Sequence, residues 1–264
     1  AGARALPLTA ASTLAGWRRS GDRQAWRCAV LLLAGAASAS PWPRAVNGVF
    51  LALSGERDAA GHSYAGLYAE LGRRPRLTVG VELGRSSAGE TSSLVWLQRA
   101  LDRGRGPDRW VASLGLGAVE RRGQPMPVAQ AALGWGRVFD DLPLLRQVRG
   151  GGWVSAELRH KLVGALRDEE EMAALAARGA SALSYLTAEA TTKAEVTVGW
   201  HMTEALMLIH QLRLEDREDT GFSAKLAVSA VRDLFGPAKL ELGLVEPLSG
   251  PGERAVRLGL WVEF

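Results

Sequence analysis

The run AVRLGLWVEF, Ala255 to Phe264, sets Val256, Leu258, Leu260, Val262 and Phe264 on one face of an extended chain and Ala255, Arg257, Gly259, Trp261 and Glu263 on the other. Side chains of a strand alternate with period two, so this stretch offers an apolar surface to one environment and a mixed polar surface to another. The pattern predicts a strand of a membrane-spanning barrel. Reading for the same period between turn signals gives twelve strands, at about 47–54, 64–72, 76–85, 92–102, 109–120, 126–138, 151–162, 193–203, 205–216, 222–234, 238–246 and 253–264. Most are long enough to cross hydrocarbon at a tilt, which takes roughly 9 to 11 residues. No apolar run reaches the roughly 18 residues of a spanning helix, and in lipid only helices and closed barrels pair every backbone group. The expected fold is all-β: a closed antiparallel transmembrane β-barrel of about 12 strands, with about 10 as the alternative count.

The other end reads differently. Trp17, Arg18, Arg19, Arg23 and Arg27 precede the apolar run CAVLLLAGAA, and Ala37-Ser38-Ala39 forms a small-x-small cleavage pattern before Ser40 and Pro41. This is the layout of a secretory signal peptide. The expected division is a leader over 1–39 and a single barrel domain over 40–264; a short buried helix is the alternative, opposed by the Pro41-Trp42-Pro43 break. The formal net charge of +4 comes from 32 basic and 28 acidic residues, and five Arg and one Asp lie in the leader, which leaves 27 of each sign. The apparent basicity therefore lends no support to nucleic-acid binding. The single cysteine, Cys28, also lies in the leader, so no disulfide or thiol chemistry is expected of the mature barrel, and no cofactor.

The connections alternate in kind. Arg73 to Pro75, Arg103 to Pro107, Thr203-Glu204 and Phe235 to Pro237 read as compact turns, and longer or more polar links fall between them, the longest from Val163 to Thr192. Outer-membrane barrels pair short periplasmic turns with longer external loops, and an even strand number puts both ends of the chain in the periplasm. Asp140 to Gly150 is the exception, long yet on the short-turn side: either a periplasmic excursion or a slip of register. The expected outward rows include Leu77, Val79, Val81, Leu83; Leu114, Leu116; Val196, Val198, Trp200; and Leu240, Leu242, Leu244. A soluble barrel or sandwich would bury those same rows in a dry centre.

One hairpin fixes its own register. A tight turn at Thr203-Glu204 sets Lys193 opposite Glu215, Glu195 opposite Arg213 and Thr197 opposite Gln211 on the inner face, with Val196 opposite Leu212 and Trp200 opposite Leu208 outside. Opposite charges across a strand pair add roughly 0.2 to 1 kcal/mol each. His210 then falls on the outward face, and the run Leu94 to Arg99 is ambiguous in phase. Asp168 to Leu183 breaks the pattern: it is alanine-rich with acids clustered at its start, where a helix dipole favours them. It predicts a short helix in a long external loop, with Met172, Leu175 and Ala176 on one face, either lying on the surface or folded over the pore mouth.

The stretch HSYAGLYAELGRRPRLTVGVELG from His62 to Gly84, together with GGWVSAEL from Gly151 to Leu158 and the closing strand, resembles outer-membrane transporters grouped with the phenol-degradation meta-pathway family. The resemblance implies a channel for small compounds, hydrophobic or aromatic ones among them, in the outer membrane of a Gram-negative bacterium. The closing strand with its final aromatic resembles those of Gram-negative outer-membrane β-barrels, which implies two partners, outer-membrane lipid and the barrel assembly machinery that reads the terminal aromatic.

The chemistry of the residues leaves passage or structure. Barrel hydrolases and proteases place Ser, His and an acidic or amide partner at the rim or lipid boundary; the nearest approach here is His62-Ser63, without Gly-x-Ser-x-Gly spacing. His160, His201 and His210 lack acidic or Cys partners at metal-ligand spacing. Twelve strands enclose more than the eight-stranded barrels that side chains just fill, and less than open sixteen-stranded porins. The residues expected to line a narrow lumen of mixed charge are Glu70, Glu82, Glu157, Arg159, Lys193, Glu195, Arg213, Glu215, Lys225, Glu241 and Arg257. The alternative is that these charges only pair across the interior and hold the barrel's shape.

Overall fold

Strands hydrogen-bond to their neighbours in sequence, and the first closes on the last. The computed structural model describes residues 41–103, 106–121, 123–166, 169–178 and 186–264. Among them the strands are β1 Val49–Asp58, β2 Ser63–Arg74, β3 Leu77–Ser86, β4 Thr91–Ala100, β5 Arg109–Arg121, β6 Gln124–Val138, β7 Gly152–Leu166, β8 Leu186–Thr203, β9 Leu206–Arg217, β10 Gly221–Asp233, β11 Ala238–Ser249 and β12 Ala255–Glu263. All neighbours are antiparallel, and β1 pairs β12 from Phe50 opposite Glu263 to Asp58 opposite Ala255, so the twelve form a closed barrel with no free edge. The expected leader and cleavage point lie outside the described residues.

The alternation decides which face meets which surroundings. Leu114 and Leu116 are 71% and 72% exposed on the outer surface, while Glu241 and Arg257 are each 4% exposed inside. Leu242 and Leu244 look outward with them, which rules out the soluble alternative. Among the described residues no helix is long and apolar enough to cross a membrane, so any crossing falls to strands. Near the end where the short turns lie, Trp110 stands opposite Trp135 on the outer face, and Trp135 Nε1 donates to Asp108 Oδ1 at 2.9 Å. An indole with an apolar body and a satisfied polar tip suits a membrane–water boundary.

The hairpin register is as expected. Lys193 pairs with Glu215, Glu195 with Arg213, Thr197 with Gln211, Val196 with Leu212 and Trp200 with Leu208. The turn itself is offset, Thr203 facing Leu206 after a shift between His201 and Thr203. His210 does face outward, where its ring stacks on Trp200 at 4.9 Å and 11°; the indole covers the imidazole. The phase of β4 is also resolved, with Leu94, Trp96 and Gln98 inside and Val95 and Leu97 outside. Apolar residues on both faces had made it ambiguous.

The strand ends and the helix length need correction, and one open alternative is resolved. β1 continues to Asp58, and β7 and β8 run on to Leu166 and back from Leu186, because the backbone ladder continues past the point where the side-chain alternation fades. The longest link thus shrinks to 167–185. Its helix, α1, is shorter than expected, Glu169–Ala177, and exposes Glu170, Glu171, Ala173 and Ala174. The link 139–151 is a true excursion, opening on a 3-10 turn at Phe139–Asp141, and β6 and β7 pair without a slip from Val128 to Val138.

Candidate functional site

Alternate residues of every strand point into the bore, and all eleven expected lining residues lie on that inner face. The structure brings most of them together as pairs. Arg159 donates to Glu157 along β7 at 2.5 Å. Glu195 accepts from Gln211 Nε2 at 2.6 Å, and Arg213 Nε donates to Gln211 Oε1 at 2.6 Å. Lys193 lies 3.2 Å from Glu215 and Arg257 3.1 Å from Glu241, which also accepts from Trp261 Nε1 at 3.1 Å. Tyr68 donates to Glu70 at 2.6 Å. Glu82 and Lys225 are half-buried on the same inner wall.

Two contacts cross the interior. Arg213 on β9 stands 3.9 Å from Glu56 on β1, and Arg121 on β5 stands 2.8 Å from Glu189 on β8; neither pair of strands is adjacent. Arg213, Arg217, Arg257, Glu56, Glu215 and Glu241 are all buried, so side chains fill the midsection. Buried charge persists only when paired and hydrogen-bonded, and here each sign meets the other.

An aromatic row lies along the inner face beside the ion pairs. Trp261, Phe50 and Tyr68 follow one another edge to face at 6.0 and 6.2 Å, and Tyr68 is followed by Trp96 at 5.8 Å. The row passes from β12 through β1 and β2 to β4, and it can do so because β3 contributes Gly80: a Cβ there would stand 2.0 Å from the Trp96 ring. Below the filled midsection, toward the short-turn end, lies a cavity of about 630 Å³ lined by Trp42, Phe50, Trp153 and Trp261 with Arg44, Lys239, Gln211 and Glu241 among its polar groups. The chamber is of a size that accommodates a small molecule, and its lining mixes aromatic rings with charged and polar side chains.

At the loop end, burial pushes the Glu90 carboxyl above the usual carboxylate range, against the pull of Arg121, which lies 3.3 Å away. In the β9–β10 turn, partial burial pushes the Asp219 carboxyl up, but the hydrogen bonds and charge of Arg217 outweigh it, and the net shift is downward.

Several of these residues escaped sequence reasoning. Glu56 was lost because the first strand was ended at Ser54. Trp42 and Arg44 precede the first strand, yet Pro-Trp-Pro-Arg just before it was a signal: a stiff, aromatic, charged segment at the mouth of a barrel. His62 turns to Asp58, with Nδ1 3.0 Å from Oδ2, while the backbone N–H of Ser63 donates to Ser87 Oγ. His201 lines the chamber and His160 faces outward against Thr192. No group of three or more metal-binding side chains occurs among the described residues.

No family model matches the chain, and no curated protein does. Solved structures do. The NanC porin superposes with a TM-score of 0.53 at 9% identity, over 81% of this chain and 100% of that one. The KdgM porin gives 0.51 at 8% identity, over 81% and 99%. A KdgM porin in complex with disordered oligogalacturonate gives 0.50 at 7% identity, over 82% and 99%. The fold is that of an outer-membrane porin-type barrel. At such identities the likeness shows the fold alone.

Proposed function

We propose that this barrel is an outer-membrane channel for small solutes, hydrophobic and aromatic ones among them. The observation that carries the reading is the inverted barrel itself: an apolar outer surface around an interior of ion pairs and a row of aromatic rings, with the 630 Å³ chamber at one end. The short-turn end then faces the periplasm and α1 the outside. A flat solute would meet the Trp42, Phe50, Trp153 and Trp261 side chains, while the balanced charge of the midsection gives little ion selectivity. The aromatic lining is in keeping with the cargo that the phenol meta-pathway resemblance implies. Insertion by the assembly machinery into outer-membrane lipid belongs to the same proposal, and no catalysis is assigned.

The test is planar-bilayer recording of the refolded protein together with efflux of a radiolabelled aromatic carboxylate from proteoliposomes. Discrete small conductance steps and solute flux are expected. Silence in both would leave the second reading, which the pairs spanning the bore favour: a barrel whose charges only brace it. Fractionation with outer membranes and heat-modifiable migration on a detergent gel test the location.

A further inference from the structure

Residues 41 to 48 run across the bore rather than beside it. At one end Pro41 and Trp42 occupy a niche over Gly136 on β6, where an added Cβ would stand 2.3 Å from Pro41 Cγ and 2.8 Å from the Trp42 ring. Arg44 is held on the other side. It pairs with Glu70 on β2, places Nη1 2.6 Å from Glu263 at the end of β12 and lies 4.5 Å over the Phe50 ring on β1, and its backbone N–H donates to Thr78 Oγ1 on β3 at 3.0 Å. In the ring of twelve, β6 stands five places from β1, close to the opposite wall. The segment therefore spans the short-turn mouth, and Pro41, Trp42 and Arg44 form one side of the chamber.

Its two halves are held differently. Residues 45–48 are tied by backbone: the Asn47 N–H donates to the Gly72 carbonyl at 2.8 Å and the Gly48 N–H to the Ala45 carbonyl at 2.9 Å, with Asn47 in the left-handed region at φ +66°. Pro41 and Trp42 rest on β6 in the niche that a missing side chain leaves. Two prolines flanking Trp42 fix their own φ, so the tip is a stiff unit. Arg44 holds the strap through two ion pairs, an inner one to Glu70, whose side chain is 2% exposed, and an outer one to Glu263, whose side chain is 55% exposed and whose pairing is therefore weak and sensitive to salt.

We propose that residues 41–48 form a hinged strap that gates the chamber, pivoting at Asn47 with Arg44 as its latch. The inference rests on the channel reading above, with the expected leader removed ahead of Pro41, and the solute would pass only when Pro41 and Trp42 leave Gly136.

The experiment is a reversible lock. Pro41 Cγ is one bond from its Cβ, so in the P41C/G136C variant the two Cβ atoms stand within disulfide reach, roughly 3.5 to 4.5 Å. Conductance and solute flux are expected to be lost in the oxidised variant and restored by reductant, and R44Q, which releases the latch, is expected to conduct more than the wild type. Equal conductance in oxidised and reduced states, with R44Q like the wild type, overturns the gate. If no variant conducts in any state, the channel reading fails, and the strap is then decided by labelling. A W42C variant should react faster with a membrane-impermeant maleimide when R44Q is added; an unchanged rate overturns the strap. The R44Q comparisons stand even if the double-cysteine variant does not fold.

Discussion

Glu241 and Arg257 show what a buried charge demands of its surroundings. Each is 4% exposed, they lie 3.1 Å apart, and Trp261 adds a hydrogen bond to the carboxylate. Removing one partner leaves the other stranded, which costs about 3 kcal/mol or more. E241A is therefore expected to lower the unfolding free energy of the refolded barrel in vesicles by about that amount, and the apolar double variant E241L/R257M to recover most of it, as urea titrations would measure. Asp219 carries a pH dependence of definite sign. Its folded pKa lies below its ordinary value, so its contribution is complete above the ordinary carboxylate pKa, about 4, and is lost as pH falls through the folded value. Proteolysis at the 218–220 turn should accelerate below about pH 4, and D219N should show no such change across that range.

At the level of elements, the wall is shaped by where side chains are missing. Gly80 admits the Trp96 indole onto β3, and Gly199 likewise accepts the Trp153 ring, its would-be Cβ 2.3 Å from the nearest ring atom. G80A should cost about 1 to 3 kcal/mol by overpacking, and G80A/W96L less than the two single changes added together, in the same urea assay. Strand number, register and facing were legible in the sequence because period two and cross-strand charge pairing are local signals, and Lys193 with Glu215 and Glu195 with Arg213 carried both. Where each strand stopped was less legible. β7 continues through Val163-Gly164-Ala165-Leu166, where both faces are apolar and no alternation marks the strand, and Glu56 lies in a polar run that reads as a link rather than a strand. The inner face of the site was legible as a set of charges. Its geometry was not, because Glu56–Arg213 and the strap over Gly136 join residues that no strand ladder connects.

For the molecule as a whole, the midsection is bridged by Glu56 and Arg213, and conduction should respond to that bridge. E56Q leaves Arg213 its contacts with Glu195 and Gln211, so the barrel should still refold, and its unitary conductance in planar bilayers should exceed that of the wild type. An unchanged conductance would place the narrowest point elsewhere, with the strap the next element to vary. The ring also has a single seam at which partners are remote in sequence, β1 against β12. Every other pairing joins strands that follow one another in sequence, but this one waits until the two ends of the sheet meet. Until then the sheet has two raw borders able to recruit other chains, and joining ends so far apart carries the largest loop-closure entropy of any pairing in the ring. A chain held short of that closure is an aggregation-prone intermediate.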